Sequence, residues 1–211
     1  MVRPMGQASN LDVGVDIAFI GLNLPKESGS RRCRSGWVSK CSRMEGTTDE
    51  RILSTDKLKL ARSILESYSF SCREELLPPE YLTSDRQAAE MLFNHPYIIM
   101  AHDRCESESG YENSFTYANK TTLESFDLTF DEFVRLLSST TTTADENAQA
   151  ERNQILRKTM LLGPTQLSNE PRQINGKDFL IEDGTLFNLA DSKGIYAGQC
   201  VVIRSFSFAG S

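Results

Sequence analysis

Apolar and polar positions alternate most sharply in the last third of the chain, in GKDFLIEDGTLFNLADSKGIYAGQCVVIRSF from Gly176 to Phe206. From Lys177 onward Phe179, Ile181, Thr185, Phe187 and Leu189 share one parity and Glu182, Gly184 and Asn188 the other, which is the two-residue period of a half-buried strand. The period predicts that Phe179, Ile181, Phe187 and Leu189 share one core face, with Gly184 marking a bulge. Asn175-Gly176 just upstream is a type I′ hairpin signal, because both central residues of that turn need positive φ and Asn and Gly accept it most readily. A strand therefore ends near Ile174. Asp191-Ser192-Lys193-Gly194 supplies the next turn, and Ile195 to Phe208 forms a third β-rich run. These three strands make an antiparallel meander with an apolar face that other elements must cover.

The covering elements lie upstream and carry a helical period. Leu58, Ala61, Leu65 and Tyr68 share one helical face after Ser54, with Lys57, Lys59, Arg62 and Glu66 elsewhere, so an amphipathic helix of about four turns is predicted. Such a stripe must pack on the domain or on a second copy of the chain. Pro78-Pro79 breaks the chain, Ser84-x-x-Gln87 caps a second helix bearing Ala88, Ala89, Leu92 and Phe93, and His95-Pro96 ends it. PYIIMAHD, residues 96 to 103, reads as a buried strand, and FTYAN as its hairpin partner, with Phe115 and Tyr117 on one side and Thr116 and Ala118 on the other. Leu123 and Phe126 lie on a short helix. Thr129-x-x-Glu132 caps another, and Thr143-x-x-Glu146 caps a longer one bearing Ile155, Leu156, Thr159 and Met160, which Gly163-Pro164 stops.

Composition narrows the class. With 211 residues of which 39% are hydrophobic, the chain can bury one good core, preceded by an extension. Residues 1 to 50 lack sustained periodicity and read as a disordered or targeting leader. The basic pair Arg31-Arg32 would suit organelle targeting, Asp12, Asp16 and Glu27 oppose it, and Met44 is an alternative start. A net charge of −6 argues against a nucleic-acid surface. No run reaches the roughly 20 apolar residues of a membrane-spanning helix, so a soluble protein without a membrane partner is expected. Five cysteines scattered at positions 33, 41, 72, 105 and 200, without a CxxC pair, suit a reducing, cytoplasmic setting.

Two strands, a helical connection and a three-stranded meander are the order of a PAS domain. At the residue level FTYANKTTLESF, LTFDEF and GKDFLIEDGTLFNLADSKGIYAGQ resemble the MEKHLA family, a PAS-like domain known at the C-terminus of plant class III homeodomain-leucine zipper proteins and as small stand-alone proteins. The matching positions include Tyr117, Asn119, Leu123, Phe179, Ile181, Glu182, Asn188, Leu189, Asp191, Gly194, Gly198 and Gln199. The chain departs from the family pattern at Leu137-Ser138-Ser139, where many members carry Pro-Ser-Arg, and at Phe187, where a tryptophan is usual. The resemblance implies an α+β fold over residues 54–208: a PAS-like five-stranded antiparallel sheet with helices on one face, preceded by two N-terminal helices over 54–72 and 84–94. It also implies a non-catalytic sensory or regulatory module that mediates signal-dependent protein interaction or self-association. The alternative is a small-molecule-binding protein or minor enzyme using the same cavity.

No motif identifies a cofactor. His95, His102, Asp103 and Cys105 match no spacing that closes a tetrahedral metal site, and no Cys-His pair has a motif predicting nucleophile and base in contact. The resemblance disfavours covalent flavin chemistry and histidine-ligated haem, because Phe133 to Leu162 contains neither cysteine nor histidine. A non-covalent ligand in a cavity between sheet and helices stays open. Its polar or reactive contacts would come from Tyr117, Asn119, Asn188, Gln199 and Cys200. Each also has a structural reading, with Asn119 as a helix cap, Asn188 as a sheet-edge group and Cys200 as a small core hydrophobe.

Overall fold

The computed structural model describes residues 53–103 and 113–209. The leader assigned to residues 1 to 50, Cys105 and most of the loop from Glu106 lie outside them. Helix α1 (Thr55–Cys72) leads, and a 3-10 turn at Pro79–Tyr81 separates it from α2 (Asp85–Phe93), where Ser84 Oγ accepts from Gln87 N. Strands β1 (Ile98–Asp103) and β2 (Phe115–Ala118) follow, then α3 (Lys120–Ser125), α4 (Phe130–Phe133), a 3-10 turn at Ser138–Thr141 and α5 (Glu146–Leu162). Strands β3 (Thr165–Leu167), β4 (Glu170–Ile174), β5 (Lys177–Ala190) and β6 (Tyr196–Phe208) complete the sheet. The Thr129/Glu132 capping box forms in full. For α5 the cap is Asp145, whose carboxylate accepts from Asn147 N and Ala148 N, rather than Thr143.

The sheet runs β2-β1-β6-β5-β3 with every pairing antiparallel, and β4 lies beside β3 along the same edge of β5. The expected single strand ending at Ile174 is thus broken in two by Asn169, whose φ of 57° leaves the extended region. Five sheet positions remain. Asn175 and Gly176, at φ 51° and 71°, make the turn expected of them between β4 and β5.

Both faces of the sheet are buried. On one, Ala61, Ile64, Leu65, Tyr68, Ala88 and Leu92 of the leading helices pack on Ile99, Ala101, Tyr117, Phe187, Leu189, Cys200 and Val202. Ser63 Oγ donates to Ala190 O, Ala190 N to Ser67 Oγ, and Arg204 Nη2 to the Tyr68 hydroxyl at 2.6 Å, so the α1 stripe is used within its own chain. On the other face Phe126, Phe133 and Leu156 pack on Ile98, Met100, Phe115, Phe179, Ile181, Leu186 and Ile203.

That division corrects two side assignments. Phe179 and Ile181 face α3–α5 whereas Phe187 and Leu189 face α1 and α2, so the four do not share a face. The pairings Ile181↔Phe206, Asp183↔Ser205 and Gly184↔Ile203 leave Glu182 on β5 and Arg204 on β6 without opposite numbers. Each extra residue inverts the parity of its strand. The bulge expected at Gly184 is present, and a Cβ there would stand 3.0 Å from Ile181 Cγ2. In β2, Thr116 is the extra residue between Ala101↔Tyr117 and His102↔Phe115, so Phe115 and Tyr117 point to opposite faces instead of one.

Candidate functional site

Between the sheet and α5 lies a cavity of about 70 Å³. Pockets for drug-sized ligands run to roughly 300–1,000 Å³, so this space is too small for one and would admit only a compact molecule. Its wall is largely apolar, with Met100, Phe115, Ile155, Phe179, Ile181 and Leu186, and the polar groups His102, Ser138, Thr141, Arg152, Arg172 and Gln199 interrupt it.

Strand alternation brings His102 to this wall, because Ile99 and Ala101 take the opposite face of β1. The ring is 5% exposed. Its Nδ1 lies 2.9 Å from Asp103 O, a contact that the Nδ1–H tautomer makes by donating. Asn113 Nδ2 lies 2.7 Å from the same nitrogen, a contact that the other tautomer makes with Nδ1 accepting. Nε2 is buried and without a hydrogen-bond partner. Burial pushes the imidazole pKa down to about 4, with the Asp103 carbonyl opposing, so the ring is neutral at pH 7.

Arg152 enters from α5 and is 4% exposed. Its Nη2 donates to Ser138 Oγ at 2.6 Å and its Nη1 to Asn153 Oδ1 at 2.9 Å. Gln199, on the central strand β6, donates from Nε2 to Leu156 O at 2.9 Å and to Asn188 Oδ1 at 3.0 Å. Asn188 sits opposite Gln199 in the ladder and donates in turn to Thr159 O at 2.9 Å. The pair therefore ties the middle of the sheet to the helix that roofs the cavity.

The five residues singled out from the sequence are not brought together. Gln199 lines the cavity, and Asn188 reaches it through Gln199. Tyr117 and Cys200 lie on the opposite face under α1 and α2, where burial pushes the phenol and thiol pKa values up. The Tyr117 hydroxyl has no hydrogen-bond partner there. Asn119 is fully buried at the start of α3, accepting from Ile99 N, Thr122 N and Thr122 Oγ1 and donating to His95 O and Tyr97 O. The sequence pattern singles out neither Arg152 nor Ser138 as a site residue, and it offers His102 only as a metal ligand or catalytic base. A lone histidine inside the apolar run IIMAHD was the available signal for His102, and no local pattern marks the other two. Among the described residues no group of three or more His, Cys, Asp or Glu could hold a metal ion, and no helix is long and apolar enough to cross a membrane.

Several solved structures resemble this one. The PAS domain of a protein from Colwellia psychrerythraea matches with a TM-score of 0.44 at 8% identity, over 57% of this chain and 94% of that one. A variant of the fungal photoreceptor VVD matches with a TM-score of 0.39 at 11% identity, over 52% and 76%. RsLOV matches with a TM-score of 0.38 at 20% identity, over 56% and 64%. No curated protein matches the sequence. The family model described as the MEKHLA domain matches residues 58–208, which include α1 from Leu58, the whole of α2 and the whole sheet. With five antiparallel sheet positions, a helical connection and that match over most of its length, the chain belongs to the MEKHLA family of PAS-like domains.

Proposed function

We propose that the chain is a non-catalytic sensory or regulatory module in which occupancy of the cavity under α5 alters binding to a protein partner. The observation that carries this reading is the cavity itself, which is largely apolar, covered by α5 and the Ser138–Thr141 turn and provided with a few buried polar groups. Gln199 joins the sheet to the backbone of that roof at Leu156, so a ligand pressing on the cavity wall would act on α5 directly. The end of α5 carries Leu161 and Leu162, 57% and 79% exposed, which offer a partner apolar surface that moves with the roof. A second copy of the chain is one candidate partner, engaging this surface because the α1 stripe is already covered.

Cys72 and Cys200 are free thiols, which suits a reducing compartment such as the cytoplasm. The test compares proteins captured from a cell extract by the full chain and by Val201→Phe, which fills the cavity from β6. A partner whose capture changes between the two supports signal-dependent interaction. Identical capture refutes it and leaves a small-molecule-binding protein as the reading.

A further inference from the structure

The polar side chains in the wall of the cavity are engaged with the protein, with one exception. Arg152 Nη2 donates to Ser138 Oγ at 2.6 Å, Thr141 Oγ1 to Ser138 O at 2.8 Å and Gln199 Nε2 to Leu156 O at 2.9 Å, while Arg172 pairs with Glu170 at 3.3 Å. The exception is His102, a ring 5% exposed. Among the described wall residues its Nε2 is the one side-chain nitrogen or oxygen that is buried without a hydrogen-bond partner. A buried polar atom left unpaired is unfavourable, so an occupant that bonds to Nε2 is favoured over one that cannot.

The role of Nε2 follows the tautomer. Donation from Nδ1 to Asp103 O leaves Nε2 an acceptor, and acceptance by Nδ1 from Asn113 Nδ2 leaves Nε2–H a donor. A hydroxyl meets both cases, because its oxygen donates and accepts alike. Burial keeps the ring neutral at pH 7, so Nε2 requires a hydrogen bond and not a counter-charge. A buried water is satisfied by about three polar partners, and this wall offers it a single unpaired one. An apolar cavity of about 150 Å³ can hold benzene, so about 70 Å³ suits roughly half as many heavy atoms. Resting on the sensory reading above, we propose that the cavity takes a compact neutral alcohol, its hydroxyl on His102 Nε2 and its hydrocarbon against Met100, Phe115, Ile181 and Leu186.

The experiment uses the full chain with isotope-labelled histidine, of which it has only His95 and His102. NMR follows the ring nitrogens and the methyl groups of the wall while 1-propanol or propane is added. A hydroxyl taken from water into a site without a partner is penalised, so a wholly apolar cavity would prefer propane by about tenfold or more. With the bond to Nε2, 1-propanol should bind at least as tightly as propane, and only the alcohol should move the His102 Nε2 resonance. In His102→Phe, which keeps a ring without its nitrogens, the preference for propane should appear. The comparison of the two probes on the unaltered chain decides the matter should that variant fail to fold. A preference for propane on the unaltered chain would overturn the proposal, as would an Nε2 resonance unmoved by saturating alcohol. So would the failure of 1-propanol to bind, the result expected if a buried water holds the site. In that last case a different small molecule found on the purified chain by native mass spectrometry would leave the sensory reading standing. Conversely, 1-propanol binding while Val201→Phe captures the same partners as the unaltered chain would sustain this inference and remove the sensory reading.

Discussion

Replacing Asn119 with alanine removes five hydrogen bonds from the interior at once. Two of the groups released keep other partners, since Ile99 N also donates to Thr122 Oγ1 and His95 O also accepts from Thr121 Oγ1. The Thr122 hydroxyl can turn wholly to Ile99 O. Two backbone groups are left with nothing, Thr122 N–H and Tyr97 C=O. Each orphaned group costs about 1–3 kcal/mol, so the substitution should destabilise by about 4 kcal/mol, against about 1 kcal/mol for the loss of a helix cap alone. Equilibrium unfolding in urea measures this, with an unchanged slope confirming that the midpoint shift reports stability. A loss under about 1 kcal/mol would refute the reasoning. It would show that water replaces the side chain and that Asn119 does not lock the junction of α2, β1 and α3.

Three further outcomes follow from named contacts. Burial holds His95 and His102 at about 4 against an ordinary 6.5, so the unfolded chain binds protons first and stability falls as pH drops below 6.5. The expected slope approaches about 1.4 kcal/mol per pH unit for each ring. Urea midpoints between pH 7 and about 5.5, above the carboxylate range, read that slope, and a flat profile would contradict the burial. Phe187→Ala should cost about 3–5 kcal/mol and Leu186→Ala about 2–5 kcal/mol, because each face of β5 is covered; a loss under about 1 kcal/mol at Leu186 would contradict the two-sided core. Gly198 has φ 143° and a Cβ there would meet His102 O at 2.2 Å, so Gly198→Ala must part β1 from β6. Insolubility or a loss above about 3 kcal/mol is expected, and a soluble protein of ordinary melting temperature would overturn the register.

What could be read without the structure was local. Asn175-Gly176, Thr129/Glu132 and Ser84/Gln87 each declare a turn or cap within a few residues, and each forms. The helix stripes and the strand order were legible for the same reason. Facing was not, because the extra residues Thr116, Glu182 and Arg204 invert parity and only pairing with a neighbouring strand reveals them. Asn119 as a cap of α3 was visible from its neighbours, but its bonds to His95 and Tyr97 cross more than 20 residues of chain. The cavity was the least legible. His102, Arg152 and Gln199 come from β1, α5 and β6, and their convergence is a property of the packed sheet and helix. Gln199 and Asn188 were reached through family motifs, and the other two had none.

The central claim is that the cavity under α5 holds a small molecule, and native mass spectrometry of the gently purified full chain, beside the same sample denatured, tests it most directly. The account predicts an adduct of small-molecule mass that is lost on denaturation and absent from Val201→Phe. A chain that is empty under native conditions, or an adduct that persists when the cavity is filled, would contradict it.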